Sequence, residues 1–369
     1  MNPDRSNAAG PSARFVHDTA ALAMLTPAEQ AGAVGAARAH AFRATDYYLS
    51  LIDWSDPDDP IRRIIVPHAD ELAPWGELDP SAEAAVTVAP GVQHKYTHTA
   101  LLLCNELCGG HCRYCFRKRI FQADNEEIAA DPEPGLQYIA AHPEVTNVLL
   151  TGGDPLLLST ARLAPLLERL AAIRHVRVIR IGTKMPAFDP YRITGDGLLL
   201  EAIRRTCTPR RRVYVIAHFD HPRELTDAAV AAIDSLLRAG AICSNQTPVI
   251  RGVNDDPHVL RELFRELSFI GCPAYYVFQC RPTVGNRPFA IPIVTAFRCF
   301  DEARRDISGV ARRARFVLSH ASGKVEVLAV DEDHIYARYH RARDPQLDGR
   351  FLKYHRNDAA FWLDDLVPA

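Results

Sequence analysis

Three cysteines in one short loop, Cys108, Cys112 and Cys115, stand in C-x₃-C-x₂-C spacing directly after the apolar run Leu101-Leu102-Leu103. Thiolates are soft ligands that select iron–sulfur clusters or zinc over hard cations. Three of them hold three irons of a four-iron, four-sulfur cluster and leave the fourth iron open to a small molecule. A structural zinc site usually shows a second ligand pair at matching spacing. Cys104 is the nearest further thiol, but it sits in the apolar run and reads as a small buried hydrophobe. On spacing alone, zinc or thiol redox chemistry stays open. A second loop, Thr151-Gly152-Gly153-Asp154-Pro155, carries paired glycines of the kind that let backbone approach a ligand closely.

These loops need a scaffold, and the chain supplies a repeating one. Short β-rich runs at 100–104, 147–151, 176–182, 213–219, 242–250 and 274–280 alternate with amphipathic stretches such as 160–173 and 226–239. Six strand–helix alternations predict a parallel sheet, whose chemistry lies at the carboxyl ends of its strands. Both loops follow strands directly. The expected fold is therefore α/β, a partial (β/α)₆ barrel like part of a TIM barrel, over 96–290. A helical extension is expected over 13–95, disorder over 1–12, and a C-terminal segment over 291–369 with one further strand near 315–319 and a polar, charged tail.

Composition narrows the class. The 369 residues are 47% hydrophobic, ample for a large core, and the formal net charge of −2 gives no basic field that calls for nucleic acid or an anionic membrane. No run approaches the length of a membrane span and the N-terminus lacks a signal-peptide pattern. Nine cysteines, three of them clustered, fit a reducing cytoplasm better than a disulfide framework. A soluble cytoplasmic enzyme is expected.

The cysteine loop resembles that of the radical S-adenosylmethionine superfamily, in which the open iron binds the amino and carboxylate groups of S-adenosylmethionine and an electron from the cluster releases a 5′-deoxyadenosyl radical. Residues 88–119, with 47–53, 56–63, 152–158, 180–183, 218–222, Asn245-Gln246 and 251–255, are similar to the lysine 2,3-aminomutase family over roughly residues 40 to 330. The resemblance implies three cofactors, the [4Fe-4S] cluster, S-adenosylmethionine and pyridoxal 5′-phosphate, and movement of an amino group between adjacent carbons after hydrogen abstraction from the β-carbon. It places S-adenosylmethionine on Gly152, Gly153 and Asp154, with Tyr114 and Phe116 by the adenine and Gln246 on the ribose. It places pyridoxal phosphate on Lys324, the imine-forming lysine, with Lys95 and Tyr96 near the phosphate. Thr99 stands where the family pattern has a further basic residue. Arg117 matches the arginine that grips the substrate α-carboxylate, a task suited to its planar fork.

Substrate identity is where the sequence departs from that family. Lysine-specific members hold the distal ammonium with two aspartates, and the matching positions here are Arg281 and Ser319. An arginine repels an ammonium in a poorly hydrated pocket and pairs with a carboxylate. The expected substrate is a small non-lysine amino acid, acidic and glutamate-like; the alternative is a lysine or other residue of a partner protein, or another small amine. The resemblance also implies an external flavodoxin- or ferredoxin-like electron donor and a homo-oligomer. Lys324–Ala369 has no cysteine, so no C-terminal structural zinc is expected.

Overall fold

The computed structural model describes residues 13–122 and 125–369; the expectation for residues 1–12 lies outside them. A small antiparallel ribbon, β1 (Phe15–Val16) with β2 (Ala44–Thr45), stands apart from one sheet of twelve strands. The sheet runs in chain order from β3 (Thr87–Ala89), β4 (Val92–Tyr96) and β5 (Thr99–Asn105) through β6 (Asn147–Gly152), β7 (Val178–Thr183) and β8 (Arg212–Ala217). It continues through β9 (Ile242–Pro248), β10 (Ala274–Phe278) and β11 (Arg315–His320) to β12 (Gly323–Val330), β13 (His334–Ala342) and β14 (Phe351–His355). Strands β5 to β11 are parallel to one another, and antiparallel strands extend the sheet at both ends.

Six of the parallel strands coincide with the runs expected from sequence, and their helices form for the expected reason. In helix Thr160–Ala172 the buried residues are Leu163, Leu166, Leu167 and Leu170, a stripe at helical spacing that faces the sheet. Each such leucine contributes about 1.5–3 kcal/mol when withdrawn from water. Helix Asp227–Arg238 buries Ala229, Ala232, Ile233 and Leu236 on the same spacing, and Thr226 caps it by accepting the Ala229 N–H at 3.2 Å. The parallel strands bury Val148, Leu150, Ile179, Ile181, Val213 and Val215 against these stripes.

Two expectations need correction. The segment before residue 96 is not only helix and loop, since β3 and β4 extend the sheet through the hairpin Tyr96↔Thr99. Val92-Gln-His-Lys-Tyr96 is too polar to announce a strand; pairing with β5 makes it one. The tail is not merely polar and charged either. Val325 and Val327 on β12 are buried, and on β13 Ile335 and Ala337 are buried between the half-buried His334, Tyr336 and Arg338, a period-two strand signal.

The open sheet curls until its two ends meet. Lys95 Nζ donates to the His320 carbonyl, Ser81 Oγ to the Ser319 carbonyl at 2.7 Å, and Arg341 Nη2 to Thr99 Oγ1 at 3.2 Å. These contacts join β4, β5 and the segment before β3 to β11 and β13 and wall in the cavity.

Candidate active site

All fifteen residues singled out from sequence line this one cavity: Cys108, Cys112, Tyr114, Cys115, Phe116 and Arg117 from the loop after β5; Gly152, Gly153 and Asp154 after β6; Gln246 on β9; Arg281 after β10; Ser319 on β11; Lys324 on β12; and Lys95 and Tyr96 on β4. The three thiols share one wall. Among the described residues no three His, Cys, Asp or Glu side chains converge on a point suited to one metal ion. Three soft donors from one loop fit a cluster that keeps one iron open.

The two loops are locked together. Gly153 donates its N–H to the Asn105 carbonyl at 2.6 Å, Asp154 to the Leu107 carbonyl at 2.8 Å, and the Asn105 side chain donates to the carbonyls of Leu107 and Asp154. A Cβ at Gly153 would lie 2.3 Å from the Leu107 carbonyl oxygen, and one at Gly152 (φ +105°) 2.5 Å from that of Asn105. The glycines therefore make room for the cysteine loop's own backbone, a packing reason that stands beside the ligand approach expected.

Several side chains are engaged more firmly than sequence suggested. The Asp154 carboxylate accepts from Thr183 Oγ1 at 2.9 Å and from the N–H groups of Lys184 and Leu156. Burial pushes it up to about 6 despite those bonds. The Tyr114 hydroxyl donates to Asp220 and lies 2.9 Å from His218 Nε2. The Phe116 ring lies between two guanidiniums, Arg281 at 3.6 Å and Arg117 at 4.9 Å. On β9, Asn245 is fully buried and bonds both backbone groups of Phe219, while the neighbouring Gln246 faces the cavity, as strand alternation requires.

Two buried charge groups carry no signal in the sequence reading. Lys184 sits 2.6 Å from both Asp220 and Glu224. Burial alone would raise the Asp220 carboxyl, but His218 and Lys184 outweigh it and hold the group far below the usual range. Asp220 and His218 fall inside a motif that carried the family resemblance, so that motif was the available signal. Lys184→Met leaves two buried carboxylates without their cation and should cost about 3–5 kcal/mol of stability. Denaturant unfolding of the cluster-loaded protein would show it, and an unchanged midpoint would contradict the pairing.

The second group centres on Glu83, in the N-terminal extension. Arg117 donates to its two oxygens at 3.2 Å each and to Thr151 Oγ1 at 2.8 Å, Arg119 donates at 2.6 Å, and Arg281 Nη1 lies 3.5 Å away. Burial would raise the Glu83 carboxyl, yet Arg117, Arg281 and Arg119 together depress it. Arg281 Nη1 is buried without a hydrogen-bond partner among the described residues.

At the other end of the cavity Lys324, Arg180 and Arg341 gather with no carboxylate ion-paired to them among the described residues. Lys324 Nζ lies 5.3 Å and 5.2 Å from the rings of Tyr276 and Phe278. Burial, then Arg281, Arg180, Lys95 and Arg341, displace it well below the ordinary lysine range, toward the neutral amine that imine formation requires. Burial and Arg281 also lower Lys95, to about 8. The Tyr96 hydroxyl is buried without a partner among the described residues. A neutral lysine amine beside unpaired cations and an orphaned hydroxyl fits an aldehyde cofactor that carries a phosphate.

Comparison with known proteins agrees with this geometry. The profile of the Radical SAM superfamily matches residues 103–264. A protein of Aquifex aeolicus named "Putative L-lysine 2,3-aminomutase" is 49% identical over 326 residues, covering 88% of this chain and 87% of that one. The chain belongs to the lysine 2,3-aminomutase family. L-lysine 2,3-aminomutase of Acetoanaerobium sticklandii is 36% identical over 77% of this chain and 68% of its own. Glutamate 2,3-aminomutase of Clostridioides difficile is 33% identical over 72% of this chain and 62% of its own. Membership makes the chain a radical S-adenosylmethionine enzyme of the isomerase type. It implies the four-iron cluster, S-adenosylmethionine and pyridoxal phosphate as cofactors. No helix among the described residues is long and apolar enough to cross a membrane.

Proposed function

We propose that the chain moves the α-amino group of an acidic, glutamate-like amino acid to its β-carbon. The observation that carries the substrate class is Arg281: its guanidinium lines the cavity, lies on Phe116, and keeps the buried Nη1 without a hydrogen-bond acceptor, the Glu83 carboxylate standing off at 3.5 Å. An ammonium there would meet a cation; a carboxylate would complete one.

When bound, the cluster and S-adenosylmethionine supply an electron and a deoxyadenosyl radical, and pyridoxal phosphate supplies the carbonyl that carries the migrating amino group. The chain's own work is holding and exclusion. Cys108, Cys112 and Cys115 hold three irons, and the Asn105 lock fixes their loop against Gly152 and Gly153. Gln246 offers its amide to the ribose. Tyr114, tied to Asp220 and His218, holds its part of the wall still and is a positioning residue. Lys324 would hold pyridoxal phosphate through its amine, with Lys95 and Tyr96 the candidates for the phosphate. Arg117 takes the α-carboxylate in competition with Glu83, and Arg281 takes the distal one. The joined sheet ends keep water from the radical, and no side-chain acid or base carries the central step.

The test is a substrate panel on cluster-reconstituted protein with pyridoxal phosphate, S-adenosylmethionine and dithionite. Glutamate, aspartate, lysine, arginine and alanine are offered separately, with β-amino acids measured by mass spectrometry. An acidic substrate is expected to turn over, and Arg281→Gln to lower its kcat/KM about 10- to 100-fold, the worth of a hydrogen bond to a charged group. Turnover of lysine in preference would overturn the assignment. Deoxyadenosine without any β-amino acid would point to a residue of a partner protein.

The pH response follows from Lys95. Below about 8 it is protonated and attracts the cofactor phosphate; above that value the free protein loses the charge. Lys324 is already displaced toward neutrality and contributes no opposing rise in charge. Cofactor affinity should therefore fall as pH rises through about 8, by no more than tenfold per unit, and Lys95→Met should flatten the profile. An equally steep profile in that variant would contradict the role.

A further inference from the structure

The C-terminal antiparallel strands place a cation where nothing in the sequence reading assigned one. Arg341 on β13 is the direct cross-strand partner of Lys324 on β12, so the two side chains stand on one face of the sheet. Like charges directly opposite in a sheet are destabilising, which favours the neutral form of Lys324 and leaves Arg341 as the charged member of the pair. Among the described residues Arg341 is not ion-paired to a carboxylate, and the neighbouring Arg180 and Lys95 bond only the Asn147 amide oxygen and the His320 carbonyl. Partly buried cations gathered without carboxylate partners favour an anion among them.

Arg341 is aimed rather than loose. Its guanidinium lies 4.3 Å from the Tyr96 ring centroid, its Nη2 donates to Thr99 Oγ1 at 3.2 Å, and the Tyr96 hydroxyl beside it is buried without a partner. In pyridoxal phosphate the aldehyde and the phosphate arm occupy adjacent carbons of one ring. A lysine that takes the aldehyde therefore brings the phosphate to its immediate neighbourhood, and across β12–β13 that neighbour is Arg341.

We propose that Arg341 is the principal arginine of the cofactor phosphate site, reaching from β13 across the opening of the sheet to the position of Thr99 on β5. This rests on the reading that Lys324 carries pyridoxal phosphate. Arg341 supplies the planar fork, Thr99 and Tyr96 supply hydroxyls, and Lys95 adds a point charge from β4. The C-terminal strands thus act as one wall of the cofactor site as well as an extension of the sheet.

The experiment titrates pyridoxal phosphate, and separately pyridoxal, into cluster-loaded wild-type protein, Arg341→Met and Arg341→Lys, following the visible absorbance of the bound cofactor. Arg341→Met should weaken pyridoxal phosphate about 10- to 100-fold, the range of a charge-assisted hydrogen bond, and pyridoxal by no more than about twofold. Arg341→Lys should recover part of the loss. Unchanged affinity for pyridoxal phosphate, or equal losses for both compounds, overturns the proposal, because a merely structural arginine would not distinguish them. Failure of the wild-type protein to bind either compound would instead remove the underlying reading of Lys324.

Discussion

Alanine at Cys108, Cys112 or Cys115 should remove the cluster and, with it, deoxyadenosine formation. The three thiols come from one loop, whereas Cys280, the other cysteine among the lining residues, follows β10 and lies outside the C-x₃-C-x₂-C spacing. Changes to outer partners of a metal site already cost about 10- to 100-fold, so loss of a direct ligand should exceed about 100-fold. Iron and sulfide content, the low-temperature electron paramagnetic resonance signal and deoxyadenosine yield would fall together. The loop should survive the change. Its backbone is held by the Asn105 bonds and by His111 and Arg113, whose N–H groups donate to the carbonyls of Arg43 and Ile64. A variant that kept its cluster and its deoxyadenosine would show that the spacing had been misread.

The second large effect belongs to Lys324→Ala. The amine is held on the cavity wall by the rings of Tyr276 and Phe278, in a setting that disfavours its charge. Its removal takes away the covalent anchor while leaving the cluster wall untouched. Amino migration should drop at least about 100-fold, the scale on which even a 1 Å misplacement of a reacting group is felt. The resonance signal of the cluster with S-adenosylmethionine should persist. That split separates loss of cofactor attachment from loss of fold. A variant retaining near-normal migration would assign the anchor elsewhere.

The sequence made the parallel core legible because its strands are continuous apolar runs and its helices keep a clean apolar stripe. The chemistry was legible for a different reason: clustered cysteines and paired glycines are residue types whose use is restricted, whereas Lys324 was legible only through the family resemblance. What escaped notice was set by tertiary contact. Glu83 is one glutamate among many until three arginines are found around it. Lys184 and Glu224 look like surface charges until both are found buried beside Asp220. Arg341 lies in a segment read as a charged tail, and only the β12–β13 register sets it opposite Lys324. At Gly152 and Gly153 loop-to-loop packing, invisible along the chain, adds a second reason that forbids a side chain.

The most direct test of the central claim uses glutamate deuterated at the β-carbon, given to the reconstituted enzyme with all three cofactors. Deuterium recovered in 5′-deoxyadenosine, together with β-glutamate as product, is the expected result and would tie radical, substrate carbon and amino migration to this one cavity. Deoxyadenosine free of deuterium, with no β-glutamate formed, would contradict it.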